Sequence, residues 1–471
     1  MKKIISLPIV LLFILMSLAV DCDKTADINP EYVMQIKNIG LRQDVFLRRF
    51  QLSGNYGKHQ NFTSDSLKNF IQKILEPNYL FIQHAYDLGY DKEPQISQEM
   101  IDYGVNLLSS NHPIIYENLT IVDDDLRDFH NKKSIQFDVD LIQTTAYGMA
   151  DSIYRSMVAG RELPYSKPDQ PPFIFPKKNR YRDVTYGEVL HPDIFPVLFE
   201  MKEGELSKPI YTGPYWSIVV LNKREANKKL PSFEQTEKEL INQAQAIFKY
   251  KKQKQLVDKL KEKYPVSIQS DLYQPLIAAY RFKDGHGWID SNRLNQDHVS
   301  ADFLQINNDI ISLTHFISIF NQANQYSQIH KLTEQDLTQF VDEYIAQYLL
   351  YLDAVEKGVD QKSVIQDKLQ NKEHRLLIAK YLKDEIAKKI KISDEDAQAH
   401  YQAHQNKWNA GFEEVISLVK DDLMNQRLIE RKENVLKKLH SKYDVRYNEP
   451  LLVKLAEQLT AEKQLMMPKA E

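Results

Sequence analysis

Residues 232–264 occur a second time as residues 411–443, and that repeat limits the fold more than any other feature of the chain. Phe233-Glu234 answers Phe412-Glu413, Leu260 answers Leu439, Lys263-Tyr264 answers Lys442-Tyr443, and Val266 answers Val445. The match has no gaps, since 412 − 233 and 443 − 264 both give 179. Apolar residues recur at helical intervals in each copy: Leu240, Ala244, Ile247, Val257 and Leu260 in one, and Val419, Leu423, Leu428, Leu436 and Leu439 in the other. The spacing predicts a long amphipathic helix twice, each running into a short extended segment, 266–268 and 445–447.

The earlier parts of the two copies lie further apart. Gln35, Ile36, Asn38, Phe46 and Phe50 match Gln305, Ile306, Asn308, Phe316 and Phe320 at a shift of 270 (305 − 35). Thr63 and Thr333 share that shift and are natural N-caps; Thr333 with Asp336 approximates a capping box. The helix that follows closes on Gly89 and on Gly358, at a shift of 269, as a C-cap demands. Acidic clusters at 123–125 and 394–396 then open another helix, complementing its dipole rather than gathering a metal. There the shift is 271, and 271 − 179 = 92, so one copy of a helical domain carries about 92 extra residues between 131 and 232.

At 471 residues the chain has room for two to four domains, and 42% hydrophobic with 27% charged residues is the make-up of a soluble, helix-rich protein. A net charge of −4 supplies no basic field, so nucleic acid is not an expected partner. Lys2-Lys3 followed by the apolar run 4–18 predicts an export signal of bacterial type over 1–21. Cys22 is the only cysteine, which precludes an internal disulfide. Its place just after the apolar run makes it a lipidation candidate and a route to a membrane, although Asp21 stands where a small residue is wanted. Ordinary cleavage after Ala19 is the alternative.

The extra residues differ in texture from their surroundings. Phe137, Val139 and Leu141 alternate as a strand, 150–158 reads as a helix, a Pro-rich loop spans 167–172, 191–201 reads as a short helix, and 216–221 as a strand. This order is α+β, with outer strands able to pair at the centre of one sheet. The run 193–213, with its Gly204-Glu205-Leu206-Ser207-Lys208-Pro209 turn, resembles the second half of a parvulin peptidyl-prolyl isomerase domain. The flanking helical pieces resemble the split chaperone domain of the SurA and PrsA type. The resemblance implies two tandem helical chaperone modules of the SurA-N/trigger-factor-C kind, a mainly α fold with one α+β insert. The expected division is 22–132 and 225–270 for the first module, 133–224 for the parvulin-like insert, 271–300 for a linker, 301–449 for the uninterrupted second module, and 450–471 for a terminal helix and tail.

The departures from parvulins bear on mechanism. Where active parvulins resemble one another in a His-Ile-Leu strand, this chain reads Leu141-Ile142-Gln143, and Ser217 stands at the second histidine position. The resemblance therefore points to no catalytic residue, with Leu141 and Ser217 as degenerate positions, and to Leu190, Ile194, Phe199 and Trp216 as candidates for touching a peptide; for Phe199, plain core is the favoured reading. His400 and His404, one turn apart, read as a solvated helix face, the loop 284–288 as a turn rather than a phosphate cradle, and the basic run 249–254 as a solvated face. What the resemblance implies is an ATP-independent chaperone of the periplasm or cell envelope, taking unfolded exported or outer-membrane proteins, with no cofactor, metal or nucleotide. An active prolyl isomerase and a structural lipoprotein of an envelope assembly complex are the alternatives.

Overall fold

The computed structural model describes residues 28–161, 177–324 and 329–465; Cys22, the expected export signal over 1–21, the expected Pro-rich loop over 167–172 and residues 466–471 lie outside them. The first copy opens with β1 (Tyr32–Ile36) and β2 (Ile39–Arg42), followed by α1 (Gln43–Gln51), α2 (Gly54–Lys58), α3 (Ser64–Phe70), a π turn (Ile71–Leu75), α4 (Glu76–Asp87) and α5 (Pro94–Ser110). Then α6 (Asp123–Lys133) leads into a sheet module of β3 (Ile135–Thr144), α7 (Tyr147–Val158), β4 (Lys177–Thr185), α8 (Ile194–Glu200), β5 (Ile210–Tyr211) and β6 (Trp216–Ala226). The long α9 (Phe233–Lys263) ends in β7 (Val266–Ile268), and the hairpin β8 (Tyr280–Lys283) and β9 (His286–Ile289) precedes the second copy. That copy runs β10 (Asp302–Ile306), β11 (Asp309–Ser312), α10 (Leu313–Ala323), α11 (Glu334–Glu356), α12 (Ser363–Tyr381), α13 (Asp394–Ala403), α14 (Phe412–Lys442), β12 (Val445–Tyr447) and α15 (Glu449–Leu465). Helices dominate, with an α+β insert, as the patterning predicts.

The repeated residues do the same local work in both copies. Each opening hairpin turns through one left-handed residue, Lys37 (φ 48) or Asn307 (φ 54), and the repeated glutamine clamps it. Gln35 Nε2 donates to the Lys37 carbonyl at 2.8 Å, and Gln305 Nε2 to the Asn307 carbonyl at 3.1 Å. Thr63 with Ser66, and Thr333 with Asp336, form reciprocal capping boxes. Both helices close on a left-handed glycine, Gly89 at φ 76 and Gly358 at φ 68. Between cap and glycine the shift falls from 270 to 269, so the first copy holds one residue more, and the π turn is where a single helical turn widens to absorb it. In the second copy α11 runs through the same stretch unbroken.

The division into modules differs from the expected one. One compact unit joins residues 28–103 to 366–465, and the other spans 104–365. In the first unit β12 pairs antiparallel with β1, Met34 opposite Tyr447 and Ile36 opposite Val445, in a sheet of order β12-β1-β2. In the second, β7 pairs with β10, Leu304 opposite Ile268 and Ile306 opposite Val266, in the order β11-β10-β7. The two closing strands are thus exchanged: each long helix carries its strand to the other copy's opening hairpin. Within the first unit, Leu439 of α14 and Leu452, Leu455 and Leu459 of α15 share a core with Ile36, Phe46, Leu67 and Leu80. Within the second, α9 packs on α6, as a helix returning to the pieces before 131 should, and also on α11. The segment 271–300 is no linker: Leu272, Tyr273, Leu276 and Ile289 are buried, and Asp284-Gly285, both at positive φ, make the tight turn of β8 and β9.

Local chemistry explains how two copies with the same element order choose partners. A tyrosine at the end of each long helix reaches an acid at the end of the helix it meets. Tyr443 donates to Asp87 at 2.7 Å and Tyr264 to Glu356 at 2.6 Å. These latches are equivalent (443 − 264 = 179; 356 − 87 = 269) and favour neither pairing. Glu76 does discriminate. It is 2% exposed, accepts a hydrogen bond from the Tyr447 hydroxyl, and lies 3.2 Å from His440 Nδ1. The equivalent positions in the second unit, 447 − 179 = 268 and 76 + 269 = 345, are Ile268 and Ile345. Interchanging the strands would set Ile268 against that buried carboxylate and remove its hydroxyl donor, at about 1–3 kcal/mol.

Candidate functional site

The sheet module orders its strands β4-β3-β6-β5, so the two strands read from the sequence do pair at the centre. The flanking β4 and β5 were not among the sequence expectations: β4 is mostly charged and β5 has two residues. Phe137, Val139 and Leu141 point to one face, where Leu126 and Phe129 of α6, Phe195 and Leu198 of α8, and Leu240 and Ile247 of α9 close over them. On the other face Ile142 and Ile218 pack on Ala150 and Ile153 of α7.

Leu141, at 4% exposure, is a core residue of the first face. Ser217 is fully buried, its Oγ 2.6 Å from Thr212 Oγ1 and accepting from Gln143 Nε2 at 3.4 Å. Neither position offers a ring nitrogen or a free donor. Leu190 and Ile194 do not face a peptide, because both are buried in the same cluster as Phe129, Tyr186 and Ile247. The loop that carries them is held shut: a Cβ on Gly187 would lie 2.8 Å from the Phe129 ring, and Lys254 of α9 reaches Asp193 at 3.2 Å. The run 249–254 is therefore only partly solvated. Phe199 is half-buried, edge-on to Phe137 at 5.3 Å, in keeping with a core role. Trp216 is half-buried away from these residues, with Tyr147 at 4.8 Å and Tyr211 at 5.2 Å. The four peptide-facing candidates do not converge on one site.

The aromatic group of Tyr147, Tyr211 and Trp216 instead docks on α11. Asp336 Oδ1 accepts from the Tyr147 backbone N–H at 2.6 Å and the carboxylate also takes the Trp216 indole; Glu343 accepts from the Tyr211 hydroxyl. Burial is the main influence on both carboxyls and pushes their pKa values above the ordinary range, against the pull of those donors. Among the histidines noted above, His400 Nε2 is 2.7 Å from Asp422 Oδ2 and its ring meets His404 at 4.7 Å. The ring of His400 is held by an acid at its own helix's neighbour, not by solvent, so His400 is buried rather than part of an open face.

An open groove lies in the first unit, on α1, α2, α3 and the π turn. About 440 Å³ is bounded by Arg49, Ser53, Gly54, Asn55, Lys58, Phe70, Ile74, Leu75 and Asn78. It adjoins about 270 Å³ bounded by Phe50, His59, Phe62, Ser66, Asn69 and Lys73, with Asn55, Phe70 and Ile74 common to both. Phe70 and Leu75 give an apolar floor, and Ile74 is 53% exposed beside them. Arg49, Lys58 and Lys73 are exposed cations, and no carboxylate lines either part. Sequence reasoning missed this site. The one available signal was the extra residue between Phe70 and Ala85, which builds the π turn carrying Lys73 and Ile74.

No protein-family model matches the chain, and no curated protein does. Two solved structures are similar. One is the peptidylprolyl isomerase PrsA from Bacillus cereus, at 12% identity and a TM-score of 0.20, over 46% of this chain and 85% of that one. The other is PrsA from Bacillus subtilis, at 13% identity and a TM-score of 0.15, over 44% and 81%. A likeness this slight carries no argument about function.

Proposed function

We propose that the chain is an ATP-independent chaperone of the foldase kind, exported to the bacterial envelope, which holds unfolded exported polypeptides without isomerising their prolyl bonds. The observation that carries this reading is the state of the two degenerate positions: Leu141 sits in a core and the Ser217 hydroxyl is buried and paired. Prolyl rotation has a barrier of ~18–20 kcal/mol, lowered only by groups that favour the twisted amide over the planar one. A module whose candidate contact residues Leu190 and Ile194 are interior offers no such groups and serves as a rigid piece of the second unit. The binding surface is then sought on the helical units, where the groove of the first unit has an apolar floor and polar rim suited to weak, promiscuous capture. Lipidation at Cys22 would hold the protein at a membrane, and affinity alone would govern release.

Two assays on the chain lacking its first 22 residues test this. Aggregation of an unfolded client should be suppressed, while the slow phase of a proline-limited refolding reaction keeps its uncatalysed rate of tens to hundreds of seconds. Accelerated refolding would restore the isomerase reading. Undiminished aggregation would favour a structural partner of an envelope assembly instead.

A further inference from the structure

The duplicated halves use the same helical face in different ways, and the difference identifies what the open copy takes. In the second unit, Asp336, Gln339 and Glu343 stand in line on α11. Asp336 and Glu343 receive the aromatic edge of Tyr147, Trp216 and Tyr211, while Gln339 bonds Glu343. At the shift of 270 (336 − 66, 339 − 69, 343 − 73), their counterparts are Ser66, Asn69 and Lys73. All three line the groove of the first unit, over the floor of Phe70 and Ile74. One copy of this face is therefore covered by an aromatic edge of the chain itself, from two strands and the start of α7, and the other is open.

The polarity is reversed between them. In the second unit the helix supplies carboxylates and the aromatic edge supplies donors: an amide, an indole and a phenol. In the first unit the helix supplies an amide and an ammonium, the Ser66 hydroxyl being donated to the Thr63 carbonyl at 2.7 Å, with Arg49 and Lys58 beside them, so whatever lies there must bring acceptors. None of Arg49, Lys58 and Lys73 enters an ion pair among the described residues, and this charge is available to a partner. We infer that the Ser66–Asn69–Lys73 face of the first unit is a binding site for an extended polypeptide segment whose aromatic side chains are flanked by carboxylates. The inference rests on the polypeptide-holding reading above and names the class of segment that this groove selects.

The test uses the chain lacking its first 22 residues and two short labelled peptides. One alternates Phe and Tyr with Asp and Glu; its twin carries Lys in place of each acid. Anisotropy at low salt should show the acidic peptide binding at least about fivefold tighter, the scale of one or two exposed ion pairs. The advantage should shrink as salt is raised. Lys73→Glu, which copies Glu343 of the second copy, combined with Arg49→Gln should abolish the preference. Both side chains are exposed, and an unchanged near-UV spectrum would show that the fold survives. Equal affinity for the two peptides, or a preference untouched by the double substitution, overturns the site. If aggregation suppression persists in that case, only this groove fails. If the unsubstituted chain neither binds the peptides nor suppresses aggregation, the polypeptide-holding reading fails with it.

Discussion

Glu76 is 2% exposed, and its carboxylate depends on Tyr447 and His440 for partners. A single hydroxyl therefore has a measurable value. Tyr447→Phe keeps the ring and removes the hydroxyl donor to the buried acid, and should lower the stability of the first unit by about 1–3 kcal/mol in a denaturant titration. Glu76→Ile with Tyr447→Ile, the pair standing at the equivalent positions of the second unit, should recover most of that loss, because replacing both partners by apolar groups removes the under-paired acid. A silent Tyr447→Phe would remove Glu76 from the account of partner choice. His374 shows a second buried polar group under strain of a different kind. Its Nε2 is buried with no hydrogen-bond partner, and its ring meets Tyr79 at 6.1 Å and Tyr86 at 6.4 Å, beside Glu373 on its own helix. Burial, then the nearby Arg49, lowers its pKa from 6.5 to about 4. The native state therefore binds this proton less readily than the unfolded chain. Stability from this group is full above pH 6.5 and is lost as pH falls toward 4, by on the order of 3 kcal/mol in total. Relative to His374→Phe, the parent should lose that amount of stability between pH 7 and pH 4; an unchanged difference would contradict the assignment.

Among the elements, those legible in the sequence are the ones whose cause is local. The glutamine-clamped hairpins, the Thr63 and Thr333 capping boxes, the closing glycines and the two long helices are each fixed by residues within a turn or two of one another. What could not be read has distant or very small causes. Leu190 and Ile194 carry the same pattern whether they face a peptide or a core, and only the arrival of α6 and α9 from either side of the insert decides for the core. The π turn appeared in the sequence as a shift changing from 270 to 269, too small to announce a groove. It does permit a sharp prediction. Deleting Gln72, an exposed residue of that turn, should convert it to the plain helix of the second copy and leave unit stability within about 1 kcal/mol. The acidic aromatic peptide should then lose its affinity, as Lys73 and Ile74 rotate out of the groove. Retained affinity in a folded deletion variant would detach the site from the π turn.

For the whole molecule, the duplication was legible and its assembly was not. β1 and β10 share Gln35/Gln305 and Ile36/Ile306, and the two tyrosine latches are interchangeable, so pattern matching cannot say which closing strand meets which hairpin. The choice is made by tertiary contacts such as the one at Glu76. The consequence is that neither unit is a continuous run of one copy: residues 28–103 are completed only when 366–465 have been made. This exchange is the central structural claim, and paired cysteines test it in the chain lacking its first 22 residues, which contains no cysteine of its own. Gln35 lies opposite Arg446 in the antiparallel register. Neighbouring Cα atoms there are about 4.5–5.5 Å apart, within reach of a disulfide. Under mild oxidation Gln35→Cys with Arg446→Cys should form a bond within a single chain, seen by non-reducing electrophoresis and intact mass, while Gln35→Cys with Ser267→Cys should not. A bond in the second pair and none in the first would mean that each copy closes on itself, and would contradict the exchange.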